Sequence, residues 1–167
     1  AAGPVVRPNG GQFVVSVETE ITCPTDGAVI HYTVDGSEPT SASPTLDDAI
    51  DIRTDLVLKA VAVHPDLADS KMATSEPFVI TPDPPKFSPD SGTFVNEAHI
   101  HVTSSTAGCE IRCTLDNTDP SAESQVCKSP VTVKTTGTMI KAVATKEGLS
   151  VSEISSLTSP LIIKSAP

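Results

Sequence analysis

Val29-Ile30-His31-Tyr32-Thr33-Val34-Asp35-Gly36-Ser37-Glu38-Pro39 and Glu110-Ile111-Arg112-Cys113-Thr114-Leu115-Asp116-Asn117-Thr118-Asp119-Pro120 are two writings of one segment. Upstream of each, Gly11-Gln12-Phe13 returns as Gly92-Thr93-Phe94, with the same step of 81 residues that separates Pro39 from Pro120. Downstream, Lys59-Ala60-Val61-Ala62 returns as Lys141-Ala142-Val143-Ala144 at a step of 82, so one residue has been added in between. A repeat of this length fixes the domain count and separates framework from decoration. What both copies keep is read as structure.

The period is two residues. In the first copy Val15, Val17, Thr19 and Ile21 alternate with polar neighbours; in the second, Ala98, Ile100 and Val102 alternate with His99, His101 and Thr103. Such alternation marks a strand with one buried face. The following strands place Ile30, Tyr32 and Val34 inward, matched by Ile111, Cys113 and Leu115. Then come Ile50 and Ile52, matched by Val131 and Val133; Leu58, Ala60 and Ala62, matched by Ile140, Ala142 and Ala144; and Phe78 with Ile80, matched by Leu161 with Ile163. No window carries a helical period. Short strands separated by Pro, Gly, Asp and Ser read as an all-β protein, two tandem antiparallel sandwiches of immunoglobulin type.

Turn chemistry agrees. Asp35-Gly36-Ser37 and Asp116-Asn117-Thr118 each follow a strand, with a side chain able to cap its own turn and then a residue tolerant of positive φ. Pro39 and Pro120 close these turns and bar another chain from pairing there. Residues 82–86, with Pro82, Pro84 and Pro85, read as a semi-rigid spacer holding the sandwiches end to end. The expected domains are 1–81 and 87–167, with 82–86 as the linker.

Composition excludes several classes. A formal net charge of −10 repels phosphate backbones and anionic membranes, and the basic residues are scattered, so neither nucleic acid nor a membrane is an expected partner. The longest apolar run, at Leu56-Val57-Leu58, is broken by Lys59, which rules out a spanning helix. Asn9, Asn96 and Asn117 all fail the Asn-X-Ser/Thr pattern, so any sugar on the chain is O-linked.

The run Pro-x-x-Gly-x-Phe, then Ile-x-Tyr-Thr-x-Asp-Gly-Ser-x-Pro, then Lys-Ala-x-Ala, then a Ser-rich last strand resembles the immunoglobulin-like C-terminal domain of chitobiases and β-hexosaminidases. The resemblance spans both copies. It implies an E-set-like sandwich and a non-catalytic role, and it brings no catalytic residue to any position here. The second copy departs from the pattern at Cys113, where the first has Tyr32, and at Asn117, where the first has Gly36.

The cysteines are 23, 109, 113 and 127. Cys113 stands for Tyr32 and Cys127 for Leu46; if those two touch across a hairpin in the first copy, the thiols touch in the second. A Cys113–Cys127 disulfide is therefore expected, closing a loop of about 15 residues and worth about 3 kcal/mol. Cys109 and Cys113 are too far apart on one strand to bridge, and the pairing of Cys23 and Cys109 stays open. The competing reading makes all four small core residues in a reducing compartment.

His99 and His101 share a strand face at metal-binding spacing, but Glu18 and Glu20 hold the equivalent positions, so a polar solvent-facing surface accounts for both. Asp116, Asn117 and Asp119 gather oxygens that could hold calcium, without the longer acidic loop of strong sites. Asp47, Asp48 and Asp51 form an acidic patch in the first copy only, read as a guarded strand edge. For glycan stacking an exposed aromatic face is needed; Tyr32, Phe78, Phe13 and Phe94 are assigned inward or framework positions and Phe87 to the linker, which leaves none.

The reading assigns no catalytic residue and no cofactor. It expects a secreted or cell-surface, structural or adhesive tandem unit, with protein partners or self-association into an array. The tail Leu161–Pro167 placed before Ala1–Pro8 would remake a proline-bearing spacer, so the segment reads as one period of such an array. Two alternatives stand beside it: a spacer or accessory module of a secreted glycoside-active enzyme, and a calcium- or ligand-binding adhesion module.

Overall fold

The computed structural model describes all residues, 1–167, and contains strands and no helix. The chain forms two compact units, Ala1–Ile80 and Thr81–Pro167. The first unit's strands are β1 (Val5–Arg7), β2 (Gly11–Val14), β3 (Val17–Thr22), β4 (Val29–Thr33), β5 (Ile50–Ile52), β6 (Lys59–Val63), β7 (Ala73–Thr74) and β8 (Phe78–Thr81), the last reaching the unit boundary. The second repeats them as β9 (Lys86–Ser88), β10 (Thr93–Val95), β11 (Ala98–Thr103), β12 (Glu110–Thr114), β13 (Val131–Val133), β14 (Lys141–Thr145), β15 (Ser155–Ser156) and β16 (Ile162–Lys164).

Each unit is an immunoglobulin-like sandwich. One layer is β1-β3-β5, or β9-β11-β13; the other is built from β4-β6-β7 with β2-β8, or β12-β14-β15 with β10-β16. Register follows the alternation: Val6 faces Ile21 and Val17 faces Ile52, while Ala98 faces Val133 and Ile100 faces Val131. In β11 the residues alternate buried and exposed along its whole length. Between the layers of the first unit lie Ile52, Leu58, Ala60, Ala62, Phe78 and Ile80, all buried; Ile100, Ile140, Ala142, Ala144 and Leu161 fill the second. Small Ala at two central positions per unit lets the layers approach closely, and Phe78 is the largest side chain wholly buried between them.

β10 departs from the expected antiparallel pattern: it runs parallel to β16, with Phe94 opposite Ile163. The cause is a switch of sheets by the first strand. β9 pairs with β11 in one layer, then the chain passes Gly92 at φ 144° and continues as β10 in the other. A Cβ on Gly92 would lie 3.2 Å from the Phe94 ring, and one on Gly11 would lie 3.3 Å from the Phe13 ring. The Gly-x-Phe motif is thus a glycine whose bare backbone receives the ring two residues on.

Several inward assignments need correction. Val15 is not in a strand; it sits at φ 70° and is half exposed, with Asn96 at the equivalent place at φ 67°. Here Ser16 N–H donates to Val14 O, and Glu97 N–H to Val95 O, so a tight turn interrupts the alternation. Val34 and Leu115 are exposed, because β4 and β12 end at Thr33 and Thr114 and the chain is already turning.

Residues 82–86 are tied into the second unit's own bonds. Asp83 N–H donates to Thr106 Oγ1 at 2.8 Å, Asp83 O accepts from Ser104 Oγ at 2.7 Å, and Lys86 is paired with Thr103 in β9. Phe87 lies in β9 and packs against the core of that unit.

Candidate functional site

The motif residues of each copy converge on the turn after β4 and β12. Asp35 Oδ1 accepts from Ser37 N–H at 3.0 Å and from Ser37 Oγ at 2.5 Å, while Thr33 Oγ1 donates to Ser37 O at 2.7 Å. Gly36 takes φ 84°, and Lys59 Nζ reaches across to donate to Gly36 O at 2.7 Å. The second copy rebuilds this. Asp116 Oδ1 accepts from Thr118 N–H and Oγ1 at 3.1 and 2.6 Å, and Thr114 Oγ1 donates to Thr118 O at 2.6 Å. Asn117 supplies the positive φ, 67°, and Lys141 Nζ meets Asp119 Oδ1 at 2.8 Å. Pro39 and Pro120 are buried at the end of each turn. The Ser37 hydroxyl, and then its N–H, hold the Asp35 carboxyl below the usual aspartate range; Thr118 does the same for Asp116.

These bonds account for the motif as scaffold. The lysine of Lys-Ala-x-Ala secures the turn, and the threonine before the aspartate closes it. The calcium candidates are spent in the same way: the Asp116 carboxylate faces Thr118 and that of Asp119 faces a lysine ammonium. Asn117 supplies only the left-handed turn. Among His, Cys, Asp and Glu no group of three is disposed to hold a metal. His99 Nε2 meets Glu97 Oε1 at 3.0 Å and its Nδ1 lies 3.2 Å from Thr132 Oγ1, on an exposed face.

Cys113 and Cys127 form a disulfide with Cα atoms 5.2 Å apart, between β12 and the segment 124–127 beside it. Two backbone bonds hold that segment, Cys113 N–H to Gln125 O and Cys127 N–H to Ile111 O. The first unit repeats both, Tyr32 N–H to Pro44 O and Leu46 N–H to Ile30 O, without a covalent link. Cys23 and Cys109 are free and half-buried. Tyr32 is also half-buried, not withdrawn as its alternation implied, and walls a depression of about 240 Å³ with Val34, Asp35 and Pro44.

Sequence reasoning missed two devices. The first is a clamp on the segment entering each sandwich. Thr25 Oγ1 accepts from Ala2 N–H at 2.8 Å as Thr106 Oγ1 does from Asp83, and Cys23 Sγ donates to Ala2 O at 3.3 Å where Ser104 Oγ donates to Asp83 O. Its signal was the 81-residue step from Thr25 to Thr106. The second is a serine bridge. Ser70 Oγ accepts from Ala62 N–H and donates to Lys71 O, as Ser152 Oγ does with Ala144 and Glu153. These hydroxyls replace ladder bonds where the last strand leaves the sheet.

Residues 8–74 and 89–156 each match the family model of the chitobiase/beta-hexosaminidase C-terminal domain. The chain belongs to that family. No curated protein matches its sequence. Among solved structures it is similar to the fibronectin(III)-like modules of Clostridium thermocellum CbhA, with 14% identity over 97% of this chain and 94% of that one and a TM-score of 0.34. Murine CEACAM1b gives 11% identity, 94% and 98% coverage and a TM-score of 0.33. The tandem Ig repeats of Dlar give 15% identity, 98% of each chain and a TM-score of 0.33.

Proposed function

We propose that this family member is a non-catalytic extracellular module with a structural, spacing role, one period of a longer tandem array. The duplicated entry clamp carries the reading: the segments around Ala2 and Asp83 are bonded to their own sandwiches by the same atoms. A unit that fixes its own leading segment can follow another like it without new contacts, which suits serial repetition. Two further observations support it. The motif side chains are consumed in turn bonds that hold the scaffold. The disulfide fits an oxidising compartment, hence a secreted or cell-surface protein.

The family match favours a second reading, an accessory module beside the catalytic domain of a secreted glycoside-active enzyme. The reading frame on either side separates the two: further copies of this sandwich, or a catalytic barrel. Titration calorimetry of the whole chain with calcium and with chito-oligosaccharides tests the spacing role itself. No saturable heat and an unchanged Tm are expected. Saturable heat with either would replace spacing with ligand binding.

A further inference from the structure

The two copies treat one sheet edge differently. In each unit a short segment beside β4 or β12 is the outermost strand of its layer, and its middle residue, Thr45 or Val126, is bridged to His31 or Arg112. The inward bonds use the residues on either side, so the N–H and C=O of Thr45 and Val126 point outward and have no partner. Such an edge invites pairing with another strand unless it is blunted.

The first unit blunts it. Its edge reads Ser43-Pro44-Thr45-Leu46-Asp47-Asp48, with a proline, a polar centre and two carboxylates. The second reads Glu123-Ser124-Gln125-Val126-Cys127-Lys128-Ser129. There the proline and both aspartates are gone, the centre is apolar and 48% exposed, and Leu115 nearby is 44% exposed. The disulfide pins the segment to β12, which lowers the cost of ordering it for a partner. Charge separates the units in the same direction. Ala1–Ile80 has 4 Lys and Arg against 12 Asp and Glu, a formal −8; Thr81–Pro167 has 7 against 9, a formal −2.

We infer that the edge at Val126 is a self-association site, where the second unit of one chain pairs antiparallel with that of another chain about a two-fold axis. The sequence is self-complementary in that arrangement. Val126 exchanges both free backbone bonds with its own copy, and Lys128 of each strand lies beside Glu123-Ser124 of the other. In an antiparallel pairing of the first unit, Asp47 and Asp48 find no cation in the facing strand. The pairing is short, well under the roughly 1,000 Å² of a stable interface, so the dimer is weak. This site goes beyond the spacing role, since a covalent array needs no lateral contact, and its test is separate from ligand titration.

Sedimentation equilibrium of the whole chain from about 10 µM to about 1 mM reads the association directly. A monomer–dimer equilibrium is expected for the native chain and for Thr45→Lys, and at least a tenfold weaker one for Val126→Lys. Amide exchange supplies a readout that needs no variant: the Val126 N–H should slow as concentration rises, while Thr45 N–H does not change. A native chain monomeric throughout, a dimer indifferent to Val126→Lys, or a Val126 amide indifferent to concentration would overturn the site.

Discussion

The first unit holds its outer edge with two backbone bonds at Tyr32 and Leu46; the second adds a covalent bond between the residues at those positions. At two further positions the second copy is the better resolved solution, although it keeps a buried unpartnered atom of its own, Arg112 Nε. It has Ile100 where the first buries Thr19 with an unpartnered hydroxyl, and Asn96 at a left-handed turn where the first strains Val15. Duplicated frames under the same topology therefore expose which local choices cost stability, because each copy is the control for the other. The comparison predicts that the first unit melts before the second.

Breaking the disulfide should have the largest effect. Cys113→Ala with Cys127→Ala removes about 3 kcal/mol from the second unit by the chain-entropy account. In calorimetry the upper transition should fall toward the lower one, which stays in place. A fall of the lower transition instead would mean that the two units do not unfold separately. Next comes Thr19, whose Oγ1 is buried among apolar side chains without a hydrogen bond. Thr19→Val keeps the shape and deletes the orphan, so the first unit should gain about 1–2 kcal/mol. A loss on urea unfolding would show that the hydroxyl has a partner.

Much of the frame was readable because period-two alternation and turn chemistry point the same way. Ile52, Leu58, Ala60, Ala62 and Ile80 are buried as their spacing required. Alternation fails where backbone, not burial, decides. Val15 fits the pattern and Val34 extends it, yet one lies in a turn and the other past the strand end. His31 fails in the opposite sense: it alternates as an outward residue but is 8% exposed, packed across from Val61 with its Nδ1 2.8 Å from Ser43 O. Arg112 repeats the bond to Ser124 O at 2.7 Å. A polar side chain spent on a carbonyl from a segment 12 residues away leaves no periodic trace. The open edge at Val126 was legible only by aligning the copies, since neither sequence alone marks an edge strand.

Val15→Asn sharpens the comparison at a smaller scale. A β-branched residue at φ 70° pays the left-handed penalty that Asn largely escapes. Giving the first unit the second unit's residue should stabilise it by about 1 kcal/mol, seen as a rise of the lower transition alone. Asn96→Val is the reciprocal change. It should cost the second unit somewhat more, because Asn96 Oδ1 also accepts from Ala166 N–H at 3.0 Å. Equal and opposite shifts would show that this second bond contributes nothing.

The smallest effect concerns the paired turns, where the units agree. Asp35 and Asp116 are exposed, and each is held below the ordinary aspartate value of 3.8 by a hydroxyl and an N–H two residues on. A folded-state pKa below the unfolded one means that the carboxylates stabilise the fold above the unfolded value. That contribution fades as pH falls through the lowered one. Between those limits the turns should loosen while both cores stay closed. Carboxyl carbon shifts followed by NMR should show these two aspartates titrating below the ordinary aspartate value of 3.8, and Ser37→Ala should return Asp35 alone toward it. Because Thr118 supplies the same two donors to Asp116, the second turn should not respond to that change. If Asp116 moved with it, the turns would be coupled through something other than the local hydrogen bonds that define them.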